Sequence, residues 1–300
     1  MRAPWLSAMV DASHLRALQF ARAAIHKSLS GRDLSLPKLA ERRRLALPGA
    51  AGPLDGRLYR PVGVDEDAPL LLFFHGGGFV VSDLDTHEAL CIRLADAGNM
   101  RVLAASYRLA PEHRFPAQLD DVIAVTQWVL RDSLSGLNTR RGVAIGGDSA
   151  GGYLAASAAA RLHDRMPGAL KAQLLMYPLL QLDGALWAKS LLSETRMLGW
   201  AAVRYINAQL LDSGVSAPSL LSLGELAHLP SVIAAGGLLD PCKADALALA
   251  DILRDAGREV IWRDYPTLIH GFGNLTHVSE TARRAVAEIG GLIGQVLARG

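Results

Sequence analysis

The sequence has only two cysteines, Cys91 and Cys242. That excludes a disulfide scaffold and a four-cysteine zinc site. Two buried, reduced thiols are expected, because a free cysteine packs as a small hydrophobe. Charge of one sign is also missing: 31 basic residues face 29 acidic ones, for a net +2. Without a basic field, counterion release has little to work with, and nucleic acid is excluded as a partner. No apolar run reaches the ~18 residues that span a bilayer, so stable membrane anchoring is not expected. The N-terminus lacks the long apolar core and small-residue cleavage site of a signal peptide. It reads as an ordinary helix, with a cytoplasmic location as the expectation. No repeat or low-complexity tract is visible. Neither G-x-G-x-x-G nor G-x-x-x-x-G-K-[ST] occurs, so nucleotide binding lacks its signature. His87-Glu88-Ala89-Leu90-Cys91 resembles half a zinc motif without its second histidine, and no metal site is expected. What the chain does have is 50% hydrophobic and 20% charged residues over 300 positions, the composition of a globular protein.

Leu15, Leu18, Ala21, Ala24, Ile25 and Leu29 recur at helical spacing and predict an amphipathic helix over about 12–29. Arg57-Leu58-Tyr59-Arg60-Pro61 alternates and stops at a proline, like an edge strand. From residue 69 the pattern changes. Leu70–Phe74 is a continuous apolar run, as are Val102–Ala105, Val143–Ile145, Leu174–Tyr177, Val232–Ala235 and Val260–Trp262. Strands without a polar face are buried on both sides, as in a parallel sheet. Helical stretches between most of them, at about 85–97, 117–132, 149–164, 243–256 and 279–298, imply βαβ crossovers covering both faces. Residues 179–229 carry no strand and are too long for a plain loop. With a helical piece at 198–211, they read as an insertion above the strand ends where α/β sheets bind ligands.

Three features carry chemistry. Gly147-Asp148-Ser149-Ala150-Gly151 follows an apolar strand and opens an alanine-rich helix, the context that G-x-S-x-G requires. The glycines allow strand and helix to approach, so that a sharp turn presents the serine hydroxyl. A glycine-rich turn with an N-capping serine is the simpler alternative. His75-Gly76-Gly77-Gly78 follows the first buried strand, where glycines free backbone N–H groups to face an oxyanion; the residue after the nucleophile, Ala150, supplies another such group. The third feature is order. A serine needs a base and the base needs an orienter, arranged as Ser, then Asp or Glu, then His. Among His163, His228, His270 and His277, only His270 directly follows the last strand. Asp240 ends the preceding strand segment, with Asp245 and then Asp183 behind it as alternatives.

These residues resemble the hormone-sensitive-lipase-like (family IV) bacterial carboxylesterases of the α/β-hydrolase superfamily. The match is carried by His75–Phe79, the stretch Tyr107-Arg108-Leu109-Ala110-Pro111-Glu112-His113, Gly147–Gly152, Tyr177-Pro178, Ser219-Leu220-Leu221, Asp240-Pro241 and His270-Gly271-Phe272, spread over roughly residues 50–298. The resemblance implies an α/β-hydrolase fold: a mostly parallel eight-stranded sheet with helices on both faces and a helical cap. The cap would come from residues 1–45 and an insertion at about 183–225, with the catalytic domain over 46–300. It implies Ser149 as nucleophile, Asp240 as orienting acid and His270 as base. Gly77, Gly78 and Ala150 would form the oxyanion hole, supported by Gly76. One departure is visible. The family places a basic and then two acidic residues after Asp-Pro, whereas here Cys242-Lys243-Ala244-Asp245 follows, with Ala244 at the first acidic position.

The reaction expected is hydrolysis of a small, short- to medium-chain acyl ester through a covalent acyl-enzyme, without a cofactor. Trp187, Leu191, Met197, Leu198, Trp200 and Tyr205 are candidates to line an apolar pocket, or equally to pack the cap on the sheet. The YRLAPEH stretch, with Tyr107, Arg108 and Glu112, is expected to form a buried polar network bracing the oxyanion loop, with His75 holding that loop by hydrogen bonds. An amidase, deacetylase or acyltransferase would use the same triad. A silent ligand receptor on this fold is disfavoured by the presence of His270. A homodimer through residues 258–298 is an arrangement known among the relatives, and nothing in these residues forces it.

Overall fold

The computed structural model describes residues 4–30, 33, 35–131, 136–181, 200–212, 219–220, 231–237 and 240–299; the side chains of 4–13, 200 and 201 lie outside the description. Eight strands form one sheet in the order β1-β2-β4-β3-β5-β6-β7-β8. They are β1 (Leu39–Gly49), β2 (Gly52–Pro61), β3 (Leu70–Phe74), β4 (Arg101–Ala105), β5 (Val143–Asp148), β6 (Leu170–Met176), β7 (Ser231–Ala235) and β8 (Val260–Asp264). β1 and β2 run antiparallel to their neighbours, and the remaining pairs are parallel. The mostly parallel, covered sheet expected from the apolar runs is present, except that Val260–Trp262 lies in the edge strand β8 and is only half-buried. β3, β4, β5 and β7 are buried at every position, which is why their sequences carry no polar alternation.

Arg57–Pro61 proves not to be an edge strand. It belongs to β2, flanked by β1 on one side and β4 on the other. The edge on that side is β1, whose Glu41-Arg42-Arg43-Arg44 run is largely solvated. A charged edge suits an exposed strand, since it discourages pairing with other chains, but it erases the apolar signal.

Among the described residues there are seven α-helices: α1 (Pro4–Leu29), α2 (Glu88–Ala97), α3 (Ala117–Leu130), α4 (Ala150–His163), α5 (Trp200–Leu210), α6 (Lys243–Asp255) and α7 (Glu280–Ala298). None is long and apolar enough to cross a membrane. Residues of α2 and α7 pack one face of the sheet, and residues of α3, α4 and α6 the other, giving two separate apolar clusters. α7 starts at Ser279, whose side chain accepts from the Ala282 N–H at 3.1 Å, an N-cap of the ordinary kind. Cys91 and Cys242 are both free and buried.

Register places the catalytic edge. Phe74 pairs with Ala105 on one side and Gly147 on the other, so β3 and β5 end at the same level. The loop after β3 and the turn after β5 therefore lie side by side, and the loops after β7 and β8 emerge at the same C-terminal edge of the sheet.

Candidate active site

Ser149 occupies the turn between β5 and α4, with φ 50° and ψ −117°. A non-glycine residue in this region is strained, and the surroundings hold it there. Its N–H donates to the Met176 carbonyl at 2.9 Å, and its carbonyl accepts from Tyr153 and Leu179, both at 3.1 Å. The glycine requirement of the motif is steric. A Cβ on Gly151 would overlap the Phe74 carbonyl and stand 2.6 Å from that of His75. Gly151→Ala should therefore cost at least about 3 kcal/mol of stability. Thermal unfolding of the variant checks this, and an unchanged midpoint would contradict the packing described.

The serine, the last-strand histidine and Asp240 are brought together. His270 Nε2 lies 2.9 Å from Ser149 Oγ. Its Nδ1 lies 2.9 Å from Asp240 Oδ1. The Asp240 carboxylate is buried and also accepts from the Cys242 N–H at 2.9 Å and the Gly236 N–H at 3.1 Å. Backbone donors thus fix Asp240 although Ala244 stands where the family has an acid. The runner-up, Asp245, is occupied elsewhere: it accepts from the Gln181 N–H at 3.1 Å and side-chain amide at 3.3 Å, tying α6 to the segment after β6. His163 ends α4, and His277 is half-buried before α7. His228 and Asp183 lie outside the described residues.

The loop expected to face an oxyanion is built from its glycines. Gly77 and Gly78 have φ of 110° and 61°, open to glycine and costly for other residues. Among the described residues no group accepts from either N–H. Gly76 donates to Asp148 Oδ1 at 2.8 Å, pinning the loop to the nucleophile turn. A Cβ on Gly78 would meet Ile206 of α5 at 2.6 Å, so α5 presses directly on the loop.

The YRLAPEH stretch braces more than this loop. Tyr107 donates to the His75 carbonyl at 2.8 Å, and its ring stacks on the imidazole at 4.5 Å. Arg108 turns the other way, to a bidentate pair with buried Asp121 of α3. Glu112 receives Arg22 of α1 at 2.6 and 2.9 Å, and Arg22 also donates to the carbonyls of Val80 and Ala110. Two of the three expected braces therefore serve α3 and α1. Their partners sit far off in sequence, where no local pattern could reveal them.

His75 donates from Nδ1 to the Gly76 carbonyl at 2.7 Å. Burial first, then neighbouring His87, lowers its pKa from 6.5 to about 4. Between those values the unfolded chain takes up a proton that the folded chain refuses. His75 thus removes stability as pH falls through that window, by about 3 kcal/mol in all, and the loss levels off below it. His75→Gln should flatten this slope in denaturant midpoints measured from pH 7 to 4. An unchanged slope would contradict the assignment.

Tyr177 went unremarked as a functional residue in the sequence beyond its place in a motif. Its ring meets His270 edge-on at 5.1 Å, and its hydroxyl accepts from the Gly273 N–H at 3.2 Å. Burial, then the Asp148 carboxylate, pushes its phenol well above the usual range. Ile206 carries no sequence signal, because its contact with Gly78 depends on where α5 packs. Of the pocket candidates, Trp187, Leu191, Met197 and Leu198 lie outside the described residues, as does the side chain of Trp200. Tyr205 is exposed and its ring stands 5.9 Å from His14 of α1.

The sheet, the turn and the serine–histidine–carboxylate chain define an α/β-hydrolase. The α/β-hydrolase-fold family profile matches residues 71–274, and the chain belongs to that family, in its hormone-sensitive-lipase-like carboxylesterase branch. It is 35% identical to Esterase LipI of Mycobacterium tuberculosis over 254 residues, 80% of this chain and 78% of that one. It is 31% identical to an ethyl acetate hydrolase of Pseudomonas putida, over 75% of this chain and 73% of that one. Among solved structures, an esterase of Pyrobaculum calidifontis superposes with a TM-score of 0.80 at 29% identity, covering 93% of this chain and 92% of the other. An α/β-hydrolase enzyme from the metagenome of Lake Arreo gives 0.83 at 29% identity, covering 97% and 96%.

Proposed function

We propose that this protein hydrolyses small carboxylic esters through an acyl-enzyme on Ser149, with His270 as base, Asp240 as its orienter, and the N–H groups of Gly77, Gly78 and Ala150 as oxyanion hole. Membership of a family of named esterases makes the chain a carboxylic ester hydrolase. The observation that carries the residue assignments is the unbroken chain from Asp240 through His270 to Ser149, with both links at 2.9 Å.

In this reading His270 Nε2 takes the Ser149 proton as Oγ attacks the ester carbonyl. Asp240 holds the Nδ1–H tautomer and stabilises the imidazolium. The carbonyl oxygen gains negative charge and meets the loop N–H groups, each such donor supplying roughly 3 kcal/mol of barrier lowering. The tetrahedral intermediate collapses, and His270 passes its proton to the leaving alkoxide. Water then attacks the acyl carbonyl, giving its proton to His270, and Ser149 leaves as the alcohol with the carboxylic acid as second product. The residues at the site supply every proton transfer.

We assign the cap to α1 and to the segment that holds α5; β1 draws residues 39–45 into the sheet. Support comes from His14 of α1, 2.9 Å from Gln209 of α5, which joins the two pieces. Ile206, set against Gly78, then walls the acyl side. p-Nitrophenyl esters of two to sixteen carbons test this. Wild type should peak at short chains, and Ile206→Ala should raise kcat/KM for longer chains relative to acetate by roughly tenfold, about what one to two methylenes of room are worth. Unaltered chain preference would remove Ile206 from the wall, and a wild-type maximum at long chains would overturn the small-pocket reading. The two reduced, buried thiols fit a reducing compartment such as the cytoplasm. A homodimer would use β8, the last strand of the sheet.

A further inference from the structure

His87 sits at the entrance to α2, buried and outside the triad. Its Nδ1 lies 3.0 Å from Thr86 Oγ1. That hydroxyl gives its own proton to the Asp83 carbonyl at 2.7 Å and accepts from the Asp83 N–H at 3.0 Å. The ring nitrogen is therefore the donor in the contact. On the other edge, Nε2 stands 3.2 Å from Oδ1 and 3.4 Å from Oδ2 of Asp148. Both ring nitrogens face oxygens, so the imidazole is held from both edges. The carboxylate needs such a neighbour. Burial opposes its charge, yet His87 and the Gly76 N–H hold its pKa below the usual range.

A second observation comes from the loop that carries the base. Asn274 Nδ2 lies 3.0 Å from the same His87 Nε2, while Asn274 Oδ1 is buried without a partner. The Asn274 amide therefore meets the imidazole on the same edge as Asp148. His87 thus touches the residue before the nucleophile and a residue four after the base. Asp148 hands the contact on to Gly76 at 2.8 Å, and so to the oxyanion loop.

We propose that His87 is a positioning residue for ester hydrolysis, whose imidazole holds the nucleophile turn, the oxyanion loop and the His270 loop in mutual register through Asp148 and Asn274. The proposal rests on the triad and oxyanion-hole reading above. His87 touches neither Ser149 nor the space over it, so it acts through others. Displacement of reacting groups by about 1 Å costs on the order of 100-fold in rate.

The test compares wild type with His87→Gln, Asp148→Asn, their double variant and Asn274→Ala. Active sites are counted by stoichiometric phosphorylation with diethyl p-nitrophenyl phosphate, and kcat is expressed per titrated site. The inhibition constant of a trifluoromethyl ketone, which mimics the tetrahedral intermediate, is measured beside KM for p-nitrophenyl butyrate. His87→Gln should lower kcat per site by roughly 100-fold and leave KM nearly unchanged, weakening the ketone in parallel. The double variant should be no slower than the slower single one. Asn274→Ala removes only a half-buried amide and should lose roughly tenfold in kcat per site, so it decides the matter even if His87→Gln does not fold. Losses confined to the fraction of titratable sites or to the unfolding temperature, with kcat per site intact, would overturn the proposal. If wild type itself is not phosphorylated on Ser149, it is the triad reading that fails instead.

Discussion

Ser149→Ala should abolish ester hydrolysis while leaving the fold intact. The change removes one oxygen from a side chain whose surroundings are set by backbone hydrogen bonds to Met176, Tyr153 and Leu179, none of which uses the hydroxyl. Loss of a serine nucleophile costs on the order of a million-fold in kcat, leaving only the rate support of binding and the oxyanion donors. The measurement is hydrolysis of p-nitrophenyl acetate and butyrate, with circular dichroism as the control for folding. A folded variant that kept more than a few per cent of wild-type activity would place the nucleophile elsewhere. The removed hydroxyl also leaves His270 Nε2 free to activate water directly. That route lacks a covalent intermediate, so the residual rate should show no initial burst.

Asp240→Asn should lower kcat by about 10⁴-fold, roughly 5 kcal/mol of barrier. Shape is conserved, and the carboxamide can still accept from the N–H groups of Cys242 or Gly236. What changes is the tautomer. An amide nitrogen turned toward His270 Nδ1 donates instead of accepting, which moves the imidazole proton to Nε2. The base then points a proton, not a lone pair, at Ser149 Oγ. Binding contacts are untouched, so the loss should appear in kcat with little change in KM. Equal loss in the Asp245→Asn variant would contradict the assignment, because Asp245 is engaged with Gln181.

Much of this architecture could be read from the residues because it depends on short-range constraints. Leu70–Phe74 and Val143–Ile145 have no polar face, and strands of that kind fit only a covered parallel sheet. Gly147 and Gly151 surround a serine because a Cβ at either would collide with backbone. Asp240 and His270 stand out as candidates because each follows a strand, in the order that the proposed triad requires. β1 escaped notice because its arginine-rich edge faces water and carries no apolar period. The partners of Arg108 and Glu112 depended on how α3 and α1 dock. His87 gives no local sign of its contact with Asp148, which lies 61 positions away. Ile206 becomes informative only once α5 is seen against Gly78. Local sterics are written in the motif, whereas choices among long-range polar partners are settled by packing.

The most direct test of the account is peptide mass mapping after the protein is stopped with acid during turnover of a slowly deacylating p-nitrophenyl ester. One acyl group per chain on the peptide containing Ser149, absent from Ser149→Ala and accumulating far more slowly in Asp240→Asn, is the result expected. An acyl group on another residue, or steady turnover with Ser149 unmodified, would contradict the claim that this serine is the nucleophile.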